Sequence, residues 1–300
     1  MLKRSVVFSH PASLSLRYNQ LVITMKDLPD ERRTIPIEDI GFLMVDNPMV
    51  SISVPLLNAL TENNVSVVFC NQKGMPASML FNLDNNNTQG ETLRNQLSAS
   101  PSFNKQLWKQ IIECKIKNQA QLLEKLGKEG KCLFPHYNNV KSGDSTNREG
   151  AAAKLYWTQL FGKDFIRDRT QSGTNALLNY GYTILRAAVT RAIMSAGLFP
   201  ALGIFHHNRS NAFPLADDMM EPYRPFVDEI VYHLTQNGQT TLTTEVKGIL
   251  IKLLYCDTYF INVTRPLSVG LTMTMASLVK YYAKEVKKIS LPLLKWVRTD

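Results

Sequence analysis

Cysteine is scarce in this chain, and the little there is lies scattered. Cys70, Cys114, Cys132 and Cys256 form no CxxC pair. That excludes the usual zinc frameworks and a disulfide scaffold, and it favours a reducing cytoplasm. Long apolar runs are missing too. The longest, 192–205, is broken by Ser195, Gly197, Pro200 and Gly203 and falls short of the roughly 18–20 residues of a membrane span. The opening residues, MLKRSVVFSHP, hold too short an apolar stretch for a secretory signal. No P-loop and no internal repeat are visible, and low complexity is confined to one asparagine cluster. Negative charge is also short. The 25 Asp and Glu face 34 Lys and Arg, a net charge of +9, which favours a polyanion as partner.

What is present suffices for a real core: 44% of the 300 residues are hydrophobic, enough for one large or two medium domains. Short β-rich runs at 5–8, 13–18, 20–25, 33–37, 40–45 and 65–70 fill the first 80 residues, with one helix expected over 54–63. A polar, Asn-rich stretch follows and reads as a linker over 82–98. Helical spacing then dominates. The run 103–126 places Leu107, Trp108, Ile111, Ile112, Lys115, Ile116, Gln119, Leu122 and Leu123 on a helical repeat, with Ser102 as its cap. Further helices are expected over 147–162, capped by Ser145 or Thr146, and over 175–198, 222–236 and 271–288. The expectation is an α+β multidomain protein, with a β-sandwich-like N-terminal domain over 1–81 and an all-α domain over 99–300.

Chemistry concentrates in GIFHHNRSNAFPLADDMMEPYRPFVD, residues 203–228. Asp218 and Glu221 lie three apart and would share one face of a helix. His206 precedes Glu221 by fifteen residues. Upstream, Glu149 opens the helix whose next residues are Gly150, Ala151, Ala152 and Ala153, small enough to let a neighbouring backbone approach. Duller readings remain for each. A helix-start glutamate suits the macrodipole, three acids in five positions can be a solvated helix start, and Arg224 with Asp228 can form a pair four residues apart. An imidazole with two carboxylates would hold a divalent cation and leave positions open. Hard oxygen donors suit Mg2+, and one imidazole shifts the balance towards Mn2+. Such a site fits phosphodiester chemistry. Basic residues supply candidate DNA contacts: Lys280, Lys284, Lys287 and Lys288 on one flank of the last helix, Arg167, Arg169 and Arg224, and a lysine series through 105–131 that includes Lys115.

The blocks NREGAAAKLYW, GIFHHN and LADDMMEPYRPFVD, in this order after a β-rich start, resemble the signature blocks of the CRISPR spacer-acquisition integrases, the first-numbered CRISPR-associated protein family. The flavour is that of the compact form found beside type II interference systems. The resemblance implies a metal triad of Glu149, His206 and Glu221 with Asp218 as auxiliary ligand, and His207 as the competing imidazole. It implies joining of the 3′-hydroxyl of a short captured DNA to a phosphodiester at the CRISPR repeat, with Mg2+ or Mn2+ and no nucleotide cofactor. It also implies a homodimer built through the β-domain, double-stranded DNA as substrate, and a small partner subunit, the second-numbered CRISPR-associated protein. Two other readings compete: a metal-dependent nuclease without integration, and a DNA-binding scaffold whose acids pair with Arg148, Arg209 or Arg224.

Overall fold

In the computed structural model, which describes residues 3–80, 82, 86–206 and 208–294, the chain divides into two units, Met1–Asn85 and Asn86–Asp300. The first unit carries β1 (Arg4–Phe8), β2 (Ala12–Arg17), β3 (Gln20–Met25), β4 (Leu28–Pro36), β5 (Ile40–Val45), β6 (Ser51–Ile52), α1 (Val54–Glu62), β7 (Ser66–Cys70) and β8 (Pro76–Leu80). Strand β2 buries Ala12 and Leu14 and turns Ser13 and Ser15 outwards, the alternation of a sheet with one wet face. Tyr18 and Asn19 both take positive φ, which closes the two-residue turn that pairs Arg17 with Gln20. Strand β5 is instead nearly all buried, because it lies between β1 and β7, parallel to both. A parallel neighbour needs a crossover, and α1 supplies it between β5 and β7. The result is two four-stranded sheets, β1-β5-β7-β8 and β4-β3-β2-β6. Their core joins Leu14, Leu21, Leu43 and Val67 with Leu56 and Leu60 of α1. The brief β6 and the strand β8 were not legible in the sequence; β8 has only partly buried and exposed residues.

The second unit holds α2 (Gln89–Leu97), α3 (Pro101–Lys125), α4 (Phe134–Tyr137), α5 (Arg148–Phe161), α6 (Thr174–Ser195), α7 (Pro214–Met219), α8 (Arg224–Gln236), α9 (Thr244–Ile251), β9 (Asp257–Phe260), β10 (Val263–Pro266) and α10 (Leu267–Tyr282). Two expectations change here. The stretch 82–98 is no plain linker, since it contains α2. The side chain of Gln96 is buried there and exchanges hydrogen bonds with the backbone of Phe199 and Leu202, so at this position a polar residue serves internal bonding. Nor is the second unit all helix: β9 and β10 pair antiparallel around Ile261 and Asn262, four residues each and too short to register as a pattern.

Helix α3 organises this unit. The side chain of Ser100, not Ser102, accepts from the Phe103 N–H, and Pro101 occupies the first turn. Its expected stripe is buried throughout, Lys115 included, and it packs against α5, α7, α8 and the turn at Glu221. Among the described residues no helix is long and apolar enough to cross a membrane.

Candidate active site

Glu149 is placed by an unusually complete helix start. The first three N–H groups of α5 have no partner within the helix. Asp144 accepts from Arg148 N at 2.8 Å and Glu149 N at 2.9 Å. Asn147, itself at φ 49°, accepts from Gly150 N at 3.1 Å. The caps are therefore Asp144 and Asn147 rather than Ser145 or Thr146. The small residues contribute less than their composition suggested: of Gly150 and the three alanines, only Ala152 is buried.

Glu221 comes from a different local geometry. Helix α7 stops at Met219, and Glu221 opens a 3-10 turn, Glu221–Tyr223, that carries Pro222 and leads into α8. Asp218 and Glu221 thus do not present a shared helical face, and they serve different partners. The carboxylates that do converge are those of Glu149 and Glu221. Lys115 Nζ lies 2.5 Å from Glu149 Oε1 and 2.6 Å from Glu221 Oε2. The other oxygen of Glu221 meets Arg224 Nε at 2.9 Å. Burial opposes charge on both Lys115 and Glu221. For Lys115 the two carboxylates outweigh that burial and raise its pKa above the ordinary lysine value. For Glu221 the burial is outweighed by Arg224 and Lys115, which lower its pKa.

Asp218 is fully buried and works on the loop before it. Its Oδ2 accepts from Ile204 N at 2.6 Å and Phe205 N at 2.9 Å, and its Oδ1 from His206 N at 3.3 Å. The same Oδ1 holds His206 Nδ1 at 2.5 Å. Loop and acid meet closely because Gly203 has no side chain: a Cβ there would lie 2.4 Å from the His206 carbonyl oxygen and 2.8 Å from Pro214 Cβ. The hydrogen bond to Asp218 raises the His206 pKa against the effect of burial, with Glu221 and Glu149 adding to the rise. His206 is therefore within electrostatic reach of both. Phe205 stacks parallel on the buried Trp108, centroids 4.5 Å apart, and the His206 ring stands edge-on to Trp108. His207 lies outside the described residues.

A further buried acid is Asp228. Asp228 accepts hydrogen bonds from the hydroxyls of Tyr156, at 2.7 Å, and Tyr182. It does not pair with Arg224, whose guanidinium instead lies 4.6 Å from the centre of the Tyr182 ring and forms an ion pair with Glu221. Arg167 is also committed internally, to Asn175 at 2.9 Å and Asn179 at 2.7 Å, while Arg169 is exposed. Lys280, Lys284, Lys287 and Lys288 do not form a helical flank. Helix α10 ends at Tyr282, Lys284 turns to φ 62°, and only Lys280 remains helical. Exposed Lys284, Lys287 and Lys288 line a groove of about 550 Å3 with Phe103 and Lys109 of α3.

The donors suit a divalent cation in kind. With Nδ1 engaged by Asp218, His206 keeps Nε2 as its outward ring nitrogen, the usual carboxylate–histidine arrangement behind a metal ligand. Glu149 and Glu221 are already turned towards one positive charge. In position the set differs, because that charge is an ammonium. Among the described residues no three His, Cys, Asp or Glu side chains are gathered to hold an ion. In the sequence Lys115 stands both on the apolar repeat of 103–126 and in the basic series offered as DNA contacts. Its register on the apolar stripe of α3 is the signal that the structure bears out, since the side chain is buried. Asp144 and the Tyr156–Asp228–Tyr182 cluster carried no comparable signal, since each depends on contacts across the fold.

Comparison with known proteins agrees with this arrangement of parts. The family model described as CRISPR associated protein Cas1 matches residues 5–252. A CRISPR-associated endonuclease Cas1 of Neisseria meningitidis serogroup C is 38% identical over 269 residues, covering 88% of this chain and 86% of that protein. Among solved structures, a casposase bound to integration product superposes with a TM-score of 0.80 at 19% identity, over 96% of this chain and 92% of that one. A Cas1 protein from Thermotoga maritima does so at 0.73 and 19%, over 93% and 97%.

Proposed function

The chain belongs to the Cas1 family of CRISPR-associated proteins, and from that membership we propose that it is a divalent-metal-dependent DNA integrase of CRISPR adaptation. In the proposed reaction the 3′-hydroxyl oxygen of a short captured DNA attacks a phosphorus at the edge of a CRISPR repeat. One P–O ester bond forms and one breaks, and the departing oxygen takes up a proton to become a free 3′-hydroxyl. No bond energy has to be imported, so no nucleotide is consumed.

The observation that carries this reading is the convergence of Glu149 and Glu221, 72 positions apart in the chain, on one buried cationic point; the ring of His206 is held separately by Asp218. Glu149, Glu221 and His206 would hold Mg2+ or Mn2+. The chemistry supplied by such an ion when bound is charge neutralisation at the phosphoryl group. Asp218 fixes the ring and the tautomer of His206, and its full engagement with the 204–206 backbone makes it a positioning residue. Arg224, supported on Tyr182, fixes the Glu221 carboxylate. Arg169, Lys280, Lys284, Lys287 and Lys288 are the candidates for phosphate contacts, which position DNA without reading its sequence. Arg167 is better placed to brace Asn175 and Asn179. We take a second copy of this chain, joined through the first unit, and a small second CRISPR-associated subunit as the partners.

A joining assay tests the proposal. A labelled duplex with free 3′-hydroxyl ends, incubated with a repeat-bearing target and Mn2+ (with and without the small subunit), should become covalently joined to it. A 3′-dideoxy donor should not. Glu149→Gln and Glu221→Gln should each lower joining by about 100-fold or more while DNA binding persists. Cleavage of the target without joining would favour the plain nuclease. Binding with neither cleavage nor joining would leave a DNA-binding scaffold.

A further inference from the structure

Lys115 is the one member of this centre that the functional reading leaves without a task. Its position is demanding. It projects from the middle of the 25-residue helix α3, is only 8% exposed, and reaches Glu149 from the start of α5 and Glu221 from the turn before α8. Two acidic groups brought this close in a buried place repel each other unless a cation lies between them. With Lys115 and Arg224 present, the two carboxylates are matched by two positive charges, and the cluster is neutral without any metal.

We propose that Lys115 is a resident counter-cation: it holds Glu149 and Glu221 together in the metal-free protein and gives up its place when a divalent ion binds. The proposal rests on the reading that these two carboxylates hold the ion. A divalent cation seeking the same two oxygens meets the ammonium in the way, both as an occupied volume and as a like charge at contact distance. A lysine suits an exchangeable part. Its ammonium is a compact charge on a flexible four-carbon stem, whereas arginine would present a rigid planar fork with more bonds to break. Two consequences follow. The carboxylates stay near their metal-binding places without metal, and metal affinity is set below what the acids alone would give, because every binding event must displace an internal ion pair.

Two measurements on the full-length protein test this. The first uses the unmodified chain. Pulse acylation with an amine-reactive ester, read by peptide mass spectrometry, should find Lys115 protected without metal and label it several-fold faster at saturating Mn2+, with Mn2+ occupancy followed in the same sample by electron paramagnetic resonance. Unchanged labelling in demonstrably Mn2+-loaded protein overturns the proposal. The second uses Lys115→Met. This variant should melt at lower temperature than the parent without metal, regain most of the difference with Mn2+, and bind Mn2+ about tenfold more tightly or better. Equal Mn2+ affinity and equal Mn2+ stabilisation in parent and variant overturn the counter-cation role and leave the metal reading standing. Absence of Mn2+ binding to both removes the two together. Should Lys115→Met fail to fold even with Mn2+, the labelling result alone decides.

Discussion

Asp228 lies buried in α8 with the Tyr156 and Tyr182 hydroxyls on its oxygens, and its titration can be read from that setting. Burial raises its pKa from the ordinary 3.8 to about 6, against the partial relief of the two hydroxyls. Below 3.8 the folded and unfolded forms both carry the proton. Between 3.8 and about 6 the unfolded chain loses it while the folded chain keeps it, so this residue makes stability fall as pH rises through that window. The loss is about 3 kcal/mol by pH 7. In Asp228→Asn this contribution is absent. Urea unfolding at pH 4 and pH 7 should therefore show the parent losing about 2 kcal/mol relative to the variant, and a pH-independent difference would refute the assignment. Single residues of this kind were the least legible in the sequence. Glu149, His206 and Glu221 stood out by motif, but their partners did not: Lys115 stood on the apolar repeat and in the basic series with nothing to link it to the two glutamates, and Asp228 offered a pairing with Arg224 that the fold does not make. The cause is common to both. Which polar group faces a buried acid is decided by chains distant in sequence, and spacing reports only neighbours along one element.

Helix α5 matters to the site through its first turn. Asp144 and Asn147 together satisfy Arg148 N, Glu149 N and Gly150 N, and this fixes where Glu149 emerges. Asp144→Ala removes two of those bonds and should lower stability by about 1–2 kcal/mol, with a drop in DNA joining beyond the loss of folded protein. Asp144→Asn should recover part of both. Joining that simply tracks the folded fraction would make the cap purely structural. Helix interiors were well legible, because the apolar repeat of α3 and α6 is long. Helix ends were not. Helix α10 closes with Lys284 N bonded to Tyr281 O and Glu285 N to Lys280 O, a left-handed stop of the kind glycine usually makes. A lysine there gives no warning, so the run 280–288 reads as one continuous basic flank. The short elements escaped for a related reason: β6 has two residues, and β9 and β10 four each.

The molecule as a whole carries a net charge of +9, and its DNA affinity should fall steeply with salt. Each phosphate contact contributes about −0.9 to the slope of log affinity against log salt. Replacing Lys284, Lys287 and Lys288 together by Gln should flatten that slope by about 2–3 and weaken binding to any sequence alike. An unchanged slope would remove the groove between α3 and the segment 284–288 from the DNA surface. The order of the fold, strands first and helices after, was legible because β-rich runs and helical repeats differ in period. The division of the chain at residue 85 was less so, since α2 has the composition of a linker. What binds these levels together is one buried point where Glu149, Glu221 and His206 are to share a divalent ion. Anomalous diffraction from crystals soaked in Mn2+ reads that point. The prediction is a single strong peak about 2.1 Å from oxygens of both glutamates and within bonding reach of His206 Nε2, with the Lys115 ammonium moved away. A peak elsewhere, or no peak with Lys115 still bridging the two carboxylates, would contradict it.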